Sequence, residues 1–389
     1  MNTVIEIHAL QNYAPSNLNR DETGAPKDAF FGGARRARIS SQCLKRAVRQ
    51  HFTGLIGQQI LAPDDVGYRT TRVLTALTDA LIGLGHPEDE AKDKARLALA
   101  AVELTIKEDG RSEYLLFLGK REISGIAQLI HAQWKSLVAP QAVTTEKKPT
   151  GKAKKQAALQ ADPELKDSIQ QILNGGQAID IALFGRMLAD MPEQNVQAAC
   201  QVAHAISTHS VEREFDFFTA VDDLKPQDSS GADMLGTGEF NSACFYRYAL
   251  INWEHLVDNL HGDTELAARA LRAFLDSFIV AEPSGKQNTF AAHNPPEFVA
   301  VSVRRQTAPR NLANAFETPV RFAPGTAITA TSAGFLARKA LKLDAAYGDS
   351  GHTYVLNLTD SQLPDYGTPV SSVKDLLTET LSAVLHEEA

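Results

Sequence analysis

The first apolar stretch of the chain predicts a β-strand over residues 3–10. This segment (TVIEIHAL) is rich in β-branched side chains and contains neither glycine nor proline. Residues 11–34 contain proline, asparagine and glycine, including the pair Gly32-Gly33, and are therefore predicted to form a loop. A helix is expected to begin near Ser40.

Apolar residues recur at helical spacing from about residue 60 to about residue 190. Val73, Leu77 and Leu81, for example, fall on one face of a helix. Similar spacing over residues 196–207 predicts a further helix. This part of the chain is therefore expected to be a helical block.

Two strand-like runs follow, on either side of a polar segment that contains glycine and serine. The runs are residues 215–223 (FDFFTAVDD) and 240–252 (FNSACFYRYALIN), and together they predict an extended β-hairpin. The elements predicted after the hairpin are a helix over 264–280, strands over 296–303 and 353–358, and an amphipathic helix from 373 to 385.

The order of these elements predicts an α+β fold in which a helical insertion interrupts a sheet domain. The chain has 389 residues, a length that favours two or three compact units. Hydrophobic residues make up 43% and charged residues 22%, as in soluble globular proteins. The apolar runs are too short to span a membrane, and the first ten residues lack the pattern of a secretory signal.

The three cysteines predict an intracellular protein. Cys43, Cys200 and Cys244 are far apart in sequence and form no CxxC motif. Such residues are usually reduced, buried thiols, so neither a disulfide framework nor a cysteine-based zinc site is expected. The expected location is the cytoplasm.

Positive charge is concentrated at the start of an otherwise acidic chain. The net charge is −8, but residues 1–50 hold eight Lys or Arg against four Asp or Glu, a balance of +4, so the other 339 residues carry −12. Six of the basic residues lie between Arg35 and Arg49. This distribution favours one directed anionic ligand over general coating of nucleic acid.

If residues 41–52 are helical, their apolar and cationic side chains lie on opposite faces. Leu44 faces one side, and Gln42, Lys45 and Arg49 face the other, with Arg46 beside them. Like charges four residues apart repel each other unless an anion lies between them. The helix is therefore either a track for a phosphate backbone or an amphipathic surface helix with solvated charges.

The start of this helix has the features of a phosphate site. Ser40 or Ser41 is a natural N-cap, and the remaining N–H groups at a positive helix terminus can bind phosphate. Gly32-Gly33 permits close approach of a backbone. The other cations expected near this site are Arg20, Lys27, Arg35, Arg36 and Arg38.

Six blocks of sequence resemble a known family, the CasC-type backbone subunit of the type I-E CRISPR Cascade. The first is SNLNRDETGAPKDAFFGGARRARISSQCLKRAVR, which includes the basic residues described above. The others, in order, are LFGRM, VAHAISTHSVEREFDFFTAVDD, LGTGEFNSACFYRYALIN, NTFAAHNPPEFV and LANAFE. They span most of the chain, although residues 55–175 and the C-terminal tail match poorly.

The resemblance implies an RRM-like (ferredoxin-like) palm, helical fingers inserted into it and a β-hairpin thumb. The implied boundaries are 1–58 for the first part of the palm, 59–180 for the fingers, 181–210 for the return to the palm, 211–245 for the thumb and 246–389 for the second part of the palm.

The resemblance also implies which residues contact RNA. The implied RNA-binding residues are Arg20, Lys27, Arg38, Ser40, Gln42, Lys45, Arg46, Arg49 and Arg186. The thumb is expected to fold over the guide and push one base out at regular intervals. The implied wedge consists of Met187, Phe217, Phe218, Thr219 and Val221. Such an apolar wedge breaks base stacking, and Phe217 stands where the family commonly has tryptophan.

The function implied by the resemblance is that of a non-catalytic backbone subunit of a type I-E surveillance complex in antiviral defence. Copies of the chain are expected to stack head to tail along the spacer of a CRISPR RNA and present it for pairing with a target DNA strand. The other implied partners are the 5′-handle cap, the crRNA-processing endonuclease, and the small and large Cascade subunits. No cofactor, metal or membrane partner is expected.

A few residues leave a catalytic alternative open. His204 and His209 do not share a helical face, and together with His8 they are interpreted as structural histidines. The pair Asp222-Asp223 is interpreted as turn chemistry or an intersubunit ion pair. Paired carboxylates can also hold a metal, so the alternative function is a metal-dependent ribonuclease of a related RNA-targeting CRISPR complex.

Overall fold

A computed structural model describes residues 3–137, 163–176, 178–220, 234–348 and 351–386. The chain divides into two compact units. The first, which we call the sheet unit, consists of Met1–Gly57, Cys200–Glu254 and Leu271–Ala389. The second, which we call the helical unit, consists of Gln58–Ala199 and His255–Ala270.

The described residues form strands, helices and short 3₁₀ turns. The strands are β1 (Thr3–Ser16), β2 (Asp28–Phe31), β3 (Ala34–Ile39), β4 (Gly67–Thr70), β5 (Leu116–Gly119), β6 (Cys200–Val202), β7 (Ala205–Ser207), β8 (Glu214–Ala220), β9 (Met234–Asn252), β10 (Phe298–Arg305), β11 (Gly351–Asn357) and β12 (Thr368–Pro369). The helices are α1 (Ser41–Gly57), α2 (Val73–Gly83), α3 (Glu88–Ala101), α4 (Lys120–Ala132), α5 (Pro163–Asn174), α6 (Ile179–Phe184), α7 (Trp253–Asn259), α8 (Thr264–Val280), α9 (Gln287–Phe290), α10 (Ile328–Tyr347) and α11 (Val373–Leu385). The 3₁₀ turns are Pro63–Asp65, Pro192–Gln194 and Leu312–Phe316.

One large mixed sheet dominates the sheet unit. Its strand order is β12-β11-β10-β1-β9-β7-β3-β2, and β6 and β8 also pair with β9. Only the pairing of β11 with β12 is parallel among the described strands. A large sheet combined with helices agrees with the predicted α+β class.

Strand β1 is the centre of this sheet and is buried on both faces. It pairs along its length with β9 and β10, and its first nine residues are all buried. Since side chains alternate between faces, Leu10 joins a core with Tyr246 and Phe298, whereas Tyr13 joins the opposite core with Phe245. The strand predicted over residues 3–10 is therefore confirmed, and it continues to Ser16.

A helix covers each of the two faces. Leu336 of α10 packs into the core that contains Tyr246, and Leu44 of α1 packs into the core that contains Tyr13. Successive residues of β1 therefore point to opposite faces of the sheet, one covered by α10 and the other by α1. This arrangement explains why almost the whole of β1 can be buried.

The buried polar side chains of β1 form hydrogen bonds with side chains of the neighbouring strands β9 and β10. Glu6 accepts hydrogen bonds from the Tyr248 hydroxyl at 2.6 Å and from Nε of Arg304 at 3.0 Å. Burial nevertheless raises the pKa of Glu6, because desolvation outweighs these bonds. His8 lies 2.9 Å from the Tyr246 hydroxyl, and burial lowers the pKa of its ring to about 3. His8 is therefore a structural histidine, as predicted.

Strand β9 belongs both to this sheet and to a projecting hairpin. Its first residues pair with β8, from Met234 opposite Ala220 to Phe240 opposite Glu214. From Asn241 onwards it pairs with β1. The predicted hairpin is confirmed, and its second strand starts earlier than residue 240.

Two predicted segments differ from the structure. Residues 196–207 form the short strands β6 and β7 and not a helix, because Cys200 pairs with Ile251 and Ile206 pairs with Tyr246 at the sheet. Their apolar spacing fits a helix, but pairing with β9 decides the conformation. Residues 11–34 are also more ordered than a loop, since they include the end of β1 and all of β2.

The other predicted elements agree with the structure. Helix α8 spans the predicted residues 264–280, and α11 spans the predicted residues 373–385. Strands β10 and β11 match the two predicted strands to within a few residues at each end. Long, strongly patterned segments were thus predictable without tertiary information.

The helical unit has its own apolar core. Leu77 of α2, Leu99 of α3, Ile126 of α4 and Ile169 of α5 are all buried in one cluster. The predicted helical insertion is thus a compact unit. The helical unit continues to Ala199 and includes His255–Ala270, whereas the boundaries implied by the resemblance stay a prediction.

Strands β2 and β3 form a tight hairpin that Gly32 and Gly33 make possible. Both glycines have positive φ, 57° and 73°, as a two-residue hairpin turn of type I′ requires. Arg36 of β3 is buried and donates hydrogen bonds to the carbonyl oxygens of Ser207 at 2.9 Å and Phe316 at 2.8 Å. Arg36 therefore anchors the hairpin and does not add charge to the surface, contrary to the sequence prediction.

No helix within the described ranges is long and apolar enough to cross a membrane.

We expect Gly32→Ala to destabilise the sheet unit much more than Gly33→Ala. Both variants carry the cost of a left-handed residue, about 1–2 kcal/mol. A Cβ on Gly32 would lie 1.6 Å from the carbonyl oxygen of Glu317, whereas a Cβ on Gly33 has open space among the described residues. Urea unfolding measures the difference, and equal midpoints for the two variants would contradict the close approach of Gly32 to Glu317.

Candidate nucleic-acid interface

Helix α1 presents the predicted cationic face. Leu44 and Phe52 are buried in the sheet unit, whereas Gln42 and Arg46 are exposed and Lys45 and Arg49 are half-buried. The separation of apolar and cationic side chains is therefore as predicted. We call Lys27, Arg38, Lys45, Arg46 and Arg49 the cationic strip.

Ser40 is the N-cap of α1. Its hydroxyl accepts a hydrogen bond from the backbone N–H of Cys43 at 3.3 Å, and its own N–H donates to the Asn19 side chain at 2.8 Å. Ser40 is buried. Its main observed role is thus to begin the helix and orient the cations that follow, whereas the predicted RNA contact of Ser40 stays a prediction.

A structured loop carries Arg20 and Lys27. Asp21 accepts hydrogen bonds from the N–H groups of Thr23 at 2.9 Å and Ala25 at 3.1 Å, which closes the loop on itself. The N–H of Lys27 donates to the carbonyl oxygen of Asn19 at 2.9 Å. These local bonds hold Arg20, which is exposed, and Lys27, which is half-buried, next to the start of α1.

Asn17 fastens the same loop to the root of the hairpin. Its Nδ2 donates to the carbonyl oxygens of Gly24 at 2.9 Å and Glu239 at 2.8 Å. Asn17 and Asn19 were considered only as loop formers from sequence. Their position between strand β1 and a basic segment could have predicted such a bonding role, because asparagine commonly forms hydrogen bonds with nearby backbone groups.

Lys27 and Arg46 of the strip act on the same thiol. Cys43 lies between them: burial raises the pKa of its thiol, and Lys27 and Arg46 oppose that rise. Arg20 and Arg46 border one groove of about 570 Å³, whose lining also includes Asp21, Glu22 and Gln50. The structure therefore brings together cations that lie up to 26 positions apart in sequence, from Arg20 to Arg46.

Arg38 also belongs to this surface. Its Nε donates to the carbonyl oxygen of Asp28 at 3.0 Å, and its Nη1 lies 3.0 Å from Nδ1 of His204. Arg35, by contrast, forms an ion pair with the Asp28 carboxylate. These contacts hold the Arg38 guanidinium in place at the cationic strip. The Asp28 carboxylate, in contrast, partly neutralises the charge of Arg35.

The β8–β9 hairpin carries the predicted wedge residues on two different faces. Every residue of β8 is exposed. Side chains alternate along a strand, so Phe217 and Thr219 share one face with Phe215, while Phe218 points to the other. Phe218 lies opposite Gly236 in the register, and its ring occupies the space of the missing Cβ. Val221, also predicted as a wedge residue, lies outside the described residues, as do Asp222 and Asp223.

Phe217 and Phe218 consequently differ in their availability for a ligand. The exposed fraction is 66% for Phe217 and 45% for Phe218. Phe215, which was not predicted, is also 66% exposed. The face with Phe215 and Phe217 therefore offers two exposed aromatic rings, whereas the less exposed ring of Phe218 lies over Gly236.

An ionic link holds the root of this hairpin. Arg213 donates to the carboxylates of Asp28 at 3.1 Å and Glu239 at 3.2 Å. Together with the bond from Asn17 to Glu239, this ties the hairpin to β2 and to the loop that carries Lys27. Arg213 was not identified from the sequence.

The structure does not support the predicted RNA contact of Arg186. This residue lies in the helical unit, where it is buried and donates to the Glu122 carboxylate at 2.6 Å and to the carbonyl oxygen of Leu173 at 3.0 Å. Burial raises the pKa of Glu122, an effect that Arg186 opposes. Arg186 is therefore a structural partner, whereas its neighbour Met187 is 81% exposed.

The histidines near the strip have different environments. His209 is buried; its Nδ1 donates to the carbonyl oxygen of Ser210 at 2.8 Å and its Nε2 accepts from the N–H of Cys244 at 3.2 Å. It is a structural histidine, as predicted. His204 is exposed beside Arg38, so the structural interpretation does not hold for it.

Within the part of the chain that the structure describes, no group of three or more His, Cys, Asp or Glu side chains could hold a metal ion.

Comparison with known proteins identifies the family. Residues 5–382 match the family described as CT1975-like protein. No curated protein matches the chain.

Two solved structures resemble the chain over nearly its whole length. A chain of a "CRISPR RNA-guided surveillance complex, pre-nicking" has a TM-score of 0.82 and 30% sequence identity, covering 98% of this chain and 100% of that one. A chain of a "CRISPR RNA-guided surveillance complex" has a TM-score of 0.73 and 25% identity, covering 98% and 99%. With almost all of its residues matched, the chain belongs to the CT1975-like protein family.

Proposed function

We propose that this protein is a CRISPR RNA-binding backbone subunit of a Cascade-type surveillance complex. The observation that carries the proposal is the cationic strip, in which Lys27, Arg38 and the outer face of α1 occur together on the sheet unit of a chain whose net charge is −8. Both similar solved structures are chains of CRISPR RNA-guided surveillance complexes, which supports the same function. The sequence blocks described above favour the type I-E form.

The strip would bind the RNA backbone and leave the bases available for pairing. Lys and Arg side chains recognise phosphate without reading sequence. In the proposed assembly, copies of the chain stack head to tail along the spacer, and affinity accumulates because each copy holds a short segment. The guide would then pair with a target DNA strand. The other proposed partners are the 5′-handle cap, the crRNA-processing endonuclease, and the small and large Cascade subunits. In this proposal the sheet unit is the RRM-like palm.

We assign the proposed wedge to the face of the hairpin that bears Phe217. Thr219 shares that face, and Phe215 extends it towards the root. An exposed ring can insert between bases, whereas the ring of Phe218 already covers Gly236. Phe218 is therefore proposed to stabilise the hairpin.

We also propose that the subunit has no catalytic role. Its family resemblance is to DNA-targeting complexes, and a binding surface of fixed cations needs no reactive group. Co-purification of the protein with nuclease-protected RNA, followed by sequencing of that RNA, tests the proposed function directly. Spacer-sized RNA is expected, and random cellular RNA would contradict a guide-binding role.

Replacing Lys45 and Arg49 together with Ala should weaken RNA binding and reduce its salt dependence. Each phosphate contact on a single strand contributes about 0.7 to the slope of log K against log salt, so two lost contacts should reduce the slope by about 1.4. Filter binding of single-stranded RNA at several salt concentrations measures this slope.

A double replacement of Lys339 and Lys342 with Ala is the matched control. It removes the same charge from α10, the helix that covers the opposite face of the sheet. The control should retain the slope of the unmodified protein. Equal reductions in both variants would mean that RNA responds to net charge and not to the strip.

Phe217→Ala should reduce the unstacking of guide bases, whereas Phe218→Ala should act mainly on the hairpin itself. Base stacking on an aromatic ring is worth about 1–3 kcal/mol. In assembled complexes, fluorescence of 2-aminopurine at successive guide positions reports which bases are unstacked. The periodic bright positions should dim with Phe217→Ala. Dimming with Phe218→Ala alone would assign the wedge to the other face.

The guide-bound complex should leave complementary RNA intact in the presence of Mg²⁺ or Mn²⁺. If the chain is a scaffold, replacing Asp222 and Asp223 with Asn changes no chemistry. A denaturing gel of labelled RNA gives the answer. Regularly spaced fragments that disappear in the double variant would instead establish the ribonuclease alternative, because a lost metal ligand removes most of the turnover.

A further inference from the structure

His204 lies beside the cationic strip, between β6 and β7. It is exposed, and its Nδ1 is 3.0 Å from Nη1 of Arg38. A guanidinium can only donate hydrogen bonds, so Nδ1 must be the acceptor. The imidazole is therefore neutral in this arrangement, with its proton on Nε2.

Arg38 is held at this position by its own neighbours. Its Nε donates to the carbonyl oxygen of Asp28 at 3.0 Å, and its backbone N–H donates to the carbonyl oxygen of Lys27 at 2.9 Å. The guanidinium thus has a fixed orientation and can present a donor either to the ring or to an incoming ligand. Lys27 brings a second cation to the same place.

Charges around His204 disfavour its protonation as long as the site holds no anion. Partial burial lowers the pKa of His204, and the positive charges of Arg38 and Lys27 lower it further. These are the charged groups that act on the ring, from β3 and from the preceding loop. The carboxylate of Asp28 on β2 forms ion pairs with Arg35 and Arg213.

We propose that His204 is a phosphate-binding residue of the RNA site and takes up one proton from solvent when an RNA phosphate binds at Arg38 and Lys27. Arg38 then donates to a phosphate oxygen, and the protonated Nδ1 of His204 donates to the same phosphate. The inference rests on the proposed function, because bound RNA supplies the phosphate.

Coupled proton uptake sets the direction of the pH dependence. Because the bound state holds one more proton than the free state, affinity rises as the pH falls, by up to about tenfold per pH unit. The effect is confined to pH values between the pKa of His204 in the free protein and its higher value in the complex. Above that range, His204 is neutral in both states and contributes no charge.

The variant His204→Gln removes the titrating ring and keeps a hydrogen-bond acceptor for Arg38. The glutamine amide oxygen can still accept a hydrogen bond from Arg38, but the side chain does not titrate. His86→Gln is the matched control, since His86 is a half-buried histidine whose pKa is also lowered but which lies in the helical unit beside His131. Oligouridine RNA is the probe, because its bases do not titrate in this range.

The experiment measures affinity for oligouridine from about pH 8 to about pH 5.5, together with the pKa of His204 by NMR in the free and bound protein. We expect the unmodified protein and His86→Gln to gain about tenfold more affinity over this range than His204→Gln does. The three proteins should bind equally at about pH 8, and bound RNA should raise the pKa of His204 by about one unit.

Two outcomes distinguish failure of the inference from failure of the proposed function. RNA binding with the same pH dependence in His204→Gln and the unmodified protein, and an unshifted pKa of His204, would overturn the inference alone. Failure of the unmodified protein to bind RNA at any of these pH values would overturn the proposed function as well. Other histidines, such as His51 on α1, are present in both the unmodified protein and His204→Gln. Their effect on the pH dependence of RNA binding is therefore the same in the two proteins and cancels in the comparison.

Discussion

The pairing of β9 with β8 at one end and with the central strand β1 at the other is the constraint on which the sheet unit depends. Backbone N–H and C=O groups must be hydrogen-bonded when they leave water, and β9 satisfies its own with β8 at one end and with β1 at the other. The buried end is locked into register by Tyr246 and Tyr248, which face the core with β1. The hairpin therefore projects from a fixed position, although its own residues are exposed.

Because β9 continues from the hairpin into the sheet, the exposed aromatic residues of the hairpin are held in a fixed position where they can meet a partner. An apolar ring on an isolated hairpin contributes little to a core, so Phe215 and Phe217 are costly to display unless they meet a partner. Their strand is held by the rigid sheet, and its root is tied by Arg213 and Asn17 to the loop that carries Lys27. The proposed wedge and part of the proposed phosphate site thus share one support.

Among the residues that the structure describes, some cations are buried and others lie at the surface, a difference that composition does not show. Arg36, Arg186 and Arg304 are buried, and each bonds to carbonyl oxygens or carboxylates inside its own unit. They stabilise the fold because a buried charge requires such partners. Arg20 and Arg46 remain exposed at a groove beside α1. The buried cations cannot meet a polyanion, so the effective binding charge is smaller than the count of basic residues.

The sequence by itself determined the elements with strong local patterns and the amphipathic character of α1. The spacing of Leu44 against Lys45 and Arg49 defines its two faces whatever the helix packs against, and the β-branched run of residues 3–10, which contains neither glycine nor proline, predicts a strand. The family resemblance added an ordered set of blocks that the comparisons support at the level of the family. It could not separate Phe217 from Phe218, since the difference depends on the glycine across the hairpin.

Tertiary structure alone decided which charged and polar residues are available to a ligand. Arg36 and Arg38 are two positions apart on β3 and share one face of the strand, yet Arg36 is buried against the carbonyl oxygens of Ser207 and Phe316, whereas Arg38 is only half-buried. Residues 196–207 became strands because β9 offered them hydrogen-bond partners. His204 and Arg38 meet only because β3 pairs with β7 across 166 positions of sequence. Local periodicity carries no information about such contacts, because they arise from the packing of distant segments.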